Sequence, residues 1–234
     1  MKDKIICFIE FIIGLVVLVC FQDYALNVIS NFGVNLSNYS ENYVMIITIL
    51  IQVALCAMLY FIYKNSIKQN GHSFKIHFLK NLLYSILMLA VMTVVMNISA
   101  FFIKYIANMF GITIIEKAKF NIMQNELSLK YIVELIKFAV LIPFSSVVVY
   151  VLGSERLFRK NGTKILMSGL IWALVESLNF TPNLLNMFFN VLPTFILGVF
   201  LSYIYSRNKN IWYPIIIFGL YLLFSPLLIG YLGW

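Results

Sequence analysis

The chain has 234 residues, 62% of them hydrophobic and 11% charged, with a formal net charge of +8. A soluble domain is nearer half apolar and a quarter charged, so a soluble globular fold is excluded. The apolar residues come in runs long enough for a helix to cross the ~30 Å hydrocarbon core, and the short alternating segments of a membrane β-barrel are not found.

In chain order the predicted spans are Ile5 to Phe21, Tyr43 to Tyr63, Leu82 to Ile103, Tyr131 to Leu152, Lys164 to Phe180, Leu184 to Tyr205 and Ile211 to Leu232. The fold class is therefore all-α, a polytopic membrane helix bundle of about seven transmembrane helices in a single membrane domain. Residues 1–110 supply three N-terminal spans and residues 131–234 a four-helix core. Met1-Lys2-Asp3-Lys4 resembles the start of a signal peptide, but no small-x-small cleavage site follows, so the first span reads as an uncleaved anchor. The longest connection, Lys104 to Lys130, is expected to hold an interfacial helix around Tyr105 to Phe110.

Cytoplasmic loops carry an excess of Lys and Arg. The N-terminus and the connections near 64–80, 156–164 and 207–209 together hold twelve Lys and Arg, while the opposite side holds Lys104, Lys117, Lys119 and Lys130. The N-terminus is thus expected inside and the C-terminus outside. This bias accounts for the net charge, so no nucleic-acid partner is expected. Cys7, Cys20 and Cys56 all fall within spans without a CxxC pattern and read as small apolar residues. Trp212, Tyr213 and Trp234 fall at interfaces, where aromatic rings anchor helices.

Ionisable groups within spans are costly in lipid and mark polar interiors. There are four: Glu10, Glu134, Lys137 and Glu176. Glu134 and Lys137 are three apart and share a helix face, which suits either an internal ion pair or a polar site. At about 1.5 Å per residue, Glu134, Lys137 and Glu176 all fall in the outer half of the bilayer. Glu10 lies near the inner face and reads as a carboxyl turned to the bundle or to the interface.

Tyr131-Ile132-Val133-Glu134-Leu135-Ile136-Lys137 resembles the EExxK motif of PrsW-type intramembrane proteases, with Val133 in the first Glu place. Glu176 follows Glu134 by 42 residues, and Trp172, Glu176 and Phe180 resemble that family's second motif. The stretch Ile217 to Leu222 is similar to its final helix, with Phe218 in the His place and Leu222 in the acidic place; a further His would fall near Thr194. A sister family, the CPBP or CAAX-type proteases, gives a second resemblance. Ser154-Glu155-Arg156-Leu157-Phe158-Arg159 is similar to its EExxxR motif with Ser154 first, and Gly198 to Ile217 resembles its closing segment. Its second-motif His would fall on Glu176, and the stretch between the motifs is about three helical turns short, which favours the PrsW-like alignment.

The resemblance implies water activated by carboxylates, with His and a metal assisting. The two His, His72 and His77, lie between the second and third spans, and no span contains one. The cofactor is therefore unknown, with no evident metal site. Glu134 and Glu176 remain as an acid and base pair, with Lys137, Trp172 and Phe180 as binding residues.

The expected function is a degenerate, non-catalytic or atypical superfamily member in the cell membrane. It would bind the lipid bilayer and a membrane protein or peptide, as a scaffold, regulator or bacteriocin-immunity factor. The alternatives are an active intramembrane endopeptidase using Glu134 and Glu176, and a small transporter or permease subunit. For the last, Pro143 and Pro193 interrupt spans, but symmetric halves are not found.

Overall fold

Backbone polar groups find no water partners in lipid, so a chain this apolar satisfies them within helices. The computed structural model describes residues 2–31, 41–76, 78–109, 129–178 and 184–231. These form seven helices: α1 (Lys2–Asn31), α2 (Glu41–Ile76), α3 (Phe78–Met109), α4 (129–157), α5 (Asn161–Leu178), α6 (Leu184–Asn208) and α7 (Trp212–Tyr231). Four are long and apolar enough to cross a membrane, over Lys4–Ile29, Tyr43–Lys68, Leu79–Ile106 and Tyr131–Leu157. Apolar residues surround α1, α2 and α3 on all sides, as lipid-embedded helices require. Phe61, for example, is 70% exposed. The all-α membrane bundle is thus the architecture.

Three boundaries differ from expectation. The connection between the second and third spans is helical, because α2 runs to Ile76 and α3 begins at Phe78. His72 therefore lies in α2. The first span continues past Phe21 to Asn31, which brings Asp23 into α1. The interfacial helix expected from Tyr105 is the end of α3, which runs to Met109, while Phe110 lies outside the described residues. Apolar runs alone undercount these helices, since polar residues beyond the hydrocarbon core still continue the backbone hydrogen bonds.

Helix α4 is the hub. Of its apolar window 56% is buried, against 11% for α1 and for α3. It packs on α1, α2, α5, α6 and α7. It is not regular: wide π turns at Lys137–Leu141 and Val147–Gly153 alternate with α-helical turns. Pro143 gives the first a cause, because its ring lacks an N–H and crowds the carbonyl four residues back, at Ala139.

Small residues bring α5 and α6 together. A Cβ on Gly169 would lie 2.5 Å from a Val199 methyl, and one on Gly198 would lie 2.8 Å from the Gly169 Cα. Helices touch backbone to backbone at such positions. Ser202 Oγ donates to Ser168 Oγ at 2.5 Å, and Ser168 Oγ donates to the Tyr150 carbonyl at 2.7 Å, which ties the pair to α4. At the Lys-rich end, Arg156 pairs with Glu10, and Glu155 holds both Lys164 (2.8 Å) and Lys209 (2.7 Å). Glu10 thus turns to the bundle. Tyr63 wedges between α1 and α4, its ring against Gly14 and Gly153, and donates to the Glu10 carbonyl at 3.3 Å.

Candidate functional site

The end of the bundle away from the Arg156 and Glu155 ion pairs holds a cavity of about 590 Å³ between α1, α2, α4 and α5. Its polar lining is Gln22 and Asp23 from α1, Gln52 from α2, Lys137, Ser145, Ser146 and Tyr150 from α4, and Glu176 from α5. The first π turn begins at Lys137 and the second contains Tyr150. Widened turns of this kind often re-aim side chains at functional sites.

Tyr150 and Glu176 line the same cavity, the hydroxyl within electrostatic reach of the carboxylate. The Tyr150 ring stacks on Trp172, with centroids 5.0 Å apart and planes 21° apart. Trp172 in turn meets Phe218 edge-on at 5.3 Å. Trp172 and Phe218 are 2% and 5% exposed, so this aromatic column is core.

Of the residues singled out from the sequence, the structure joins Lys137 and Glu176 at the cavity and leaves Glu134 out of its lining. Among the described residues no ion pair joins Glu134 to Lys137. The helix is regular from Leu129 to Ile136 and widens from Lys137 onward. Trp172 sits beside the cavity rather than in its lining. Phe180 lies outside the described residues.

The CAAX-type positions behave differently. Ser154 turns its hydroxyl back to the carbonyls of Tyr150 (2.5 Å) and Val151 (3.1 Å). Glu155 is engaged with its two lysines. Ser168 is level with the Tyr150 carbonyl. Glu176 lies roughly 12 Å further along α5, and Ser154 roughly 6 Å the other way along α4, so the two do not meet. Phe218 and Leu222, from the PrsW-type resemblance, pack with the core.

The metal implied by the resemblance needs several carboxylate or imidazole donors converging on one point. Among the described residues no three His, Cys, Asp or Glu side chains do so. Of the CAAX-type motif positions, Glu155 is held by Lys164 and Lys209 and Glu176 lies at the cavity away from them, so these carboxylates do not converge and do not fit the ion.

Sequence reasoning missed Asp23, Gln52, Ser146 and Tyr150. Asp23 falls two residues past the expected end of the first span. Gln52 is a lone amide in an apolar run, and a search confined to ionisable groups passes over it.

Residues 132–224 match the family described as Rce1-like, type II CAAX prenyl endopeptidase. No curated protein and no solved structure gives a match. The matched stretch runs through α4, α5, α6 and most of α7. Of the two resemblances, it is the CAAX-type one that the match carries. Over this segment the chain is similar to the CPBP, or CAAX protease-like, superfamily.

Proposed function

We propose that this chain is a non-catalytic member of the superfamily that binds a membrane protein or peptide in the cell membrane, with its N-terminus on the cytoplasmic side. One observation carries the reading: Ser154 stands at the first carboxylate position of the CAAX-type motif with its hydroxyl turned back to the Tyr150 and Val151 carbonyls, and Glu176 stands at that motif set's His position. Phe218 and Leu222, at the His and acidic places of the PrsW-type resemblance, are packed with the core and support it. Binding without cleavage suits a scaffold, a regulator or a bacteriocin-immunity factor. The cytoplasmic N-terminus is supported by the cluster of Arg156, Lys164 and Lys209 at the end where α1 begins.

A second reading, an intramembrane endopeptidase, draws support from Glu176, a carboxylate on a polar cavity within the bundle. Glu134, its expected partner, does not line that cavity.

The test uses the full chain in native membranes, with a photocrosslinker placed on the lipid-facing surface at Phe61. Mass spectrometry identifies the cross-linked proteins and their ends. An intact membrane protein captured without new termini is the expected result. Cleaved products that disappear in Glu176→Gln, at unchanged expression, would overturn the non-catalytic reading in favour of the endopeptidase.

A further inference from the structure

The cavity between α1, α2, α4 and α5 takes Lys137 and Glu176 from the motif positions, while Ser154, Phe218 and Leu222 do not line it. Its volume of about 590 Å³ falls in the range of small-ligand sites. Three ionisable groups line it, Lys137, Asp23 and Glu176. At membrane depth such groups persist where they meet partners or water.

Within the described residues this lining is not self-satisfied. Neither Lys137 nor Asp23 forms an ion pair there. Gln52 is 6% exposed, lines the same space and has no hydrogen-bond partner among the described residues. Ser146, equally buried, is in the same condition. A buried amide or hydroxyl in a folded protein is normally bonded, so two left open on one cavity point to a ligand or to ordered water that a ligand displaces.

The chemistry of that ligand follows from the lining. Asp23 and Glu176 accept from a cation. Lys137 donates to an oxyanion, and the Gln52 amide offers both functions. A simple anion would meet two carboxylates, and a simple cation would leave the Lys137 ammonium unpaired.

We infer that this cavity binds a zwitterion, its ammonium against Asp23 and Glu176 and its oxyanion against Lys137 and Gln52. The inference rests on the binding reading above and names the chemistry of what is bound. Two sources supply it: the headgroup of an ethanolamine phospholipid and the charged ends of a short peptide.

The test is calorimetric titration of the delipidated full chain in detergent, with triglycine and with short-chain phosphatidylethanolamine as separate probes. Short-chain phosphatidylglycerol serves as the anion-only control. Saturable binding of one or both zwitterions is expected, with weak or absent binding of the control. The affinity falls about tenfold or more in Lys137→Met, Gln52→Leu and Asp23→Asn. Triglycine alone assigns a peptide, and phosphatidylethanolamine alone assigns a lipid headgroup. Binding of neither zwitterion, control binding as tight as theirs, or an unchanged affinity in Asp23→Asn overturns the assignment. Asp23 is exposed, so its variant keeps the packing intact even where Lys137→Met or Gln52→Leu does not fold. Cross-linking at Phe61 reads partner capture independently of this titration. Failure here with successful capture removes the ligand chemistry alone.

Discussion

Gly219 of α7 lies against the carbonyl oxygen of Ala139 in α4, too close for any side-chain atom between them. The two facts have one origin. Pro143 takes away the N–H that would bond the Ala139 carbonyl, and the wide turn at Lys137–Leu141 absorbs the ring. The freed oxygen then faces a glycine Cα, the one surface that admits it.

Gly219→Ala should therefore push α7 off α4 and destabilise the fold by about 1–3 kcal/mol, as overpacking does. A thermal unfolding scan in detergent reads this directly. A variant as stable as the parent would mean that the two helices separate freely.

The serine relay gives a sharper prediction. Ser168→Ala removes both the Ser202 contact and the bond to the Tyr150 carbonyl, and Ser202→Ala removes the first alone. Single losses of about 0.5–1.5 kcal/mol are expected, larger for Ser168→Ala. The double variant should be no worse than Ser168→Ala, because the groups act in series. Strictly additive losses would contradict the relay.

Glu155 is gripped from two sides, and the two lysines should not count equally. Lys209 is 55% exposed and Lys164 16%. Lys209→Met should change stability by less than about 0.5 kcal/mol, and added salt should erase the difference. Lys164→Met should cost more. Chemical unfolding at low and high salt separates the two.

Glu134 and Glu176 should also part company. Glu176→Gln removes a charge from the cavity wall, so it should weaken binding of any cavity ligand by about tenfold. Glu134→Gln should leave that binding within about twofold, since Glu134 is outside the lining. Equal effects in the same titration would place the ligand elsewhere.

Much of this was legible in the sequence. Composition and apolar runs give the membrane bundle. The motifs around Ser154 and Glu176 lie within the family match. What the sequence hides is rotation. Lys137 and Glu176 line one cavity, while Glu134, three residues before Lys137, stays outside it. No pattern of residue types encodes that. The uncharged polar groups are also hidden, because Gln52 and Ser146 look like tolerated exceptions until the space beside them is seen.

The pairing of Glu10 with Arg156 spans 146 residues of chain. During synthesis the first helix reaches the bilayer with its carboxyl uncompensated, and the counter-charge emerges only at the end of the fourth. Until then Tyr63 also lacks the Gly153 notch that closes its pocket. The early helices must therefore wait, loosely associated, for the later half of the chain to arrive. Order of birth and order of docking are reversed in this molecule, and chains truncated before Arg156 should be held by insertion machinery or degraded.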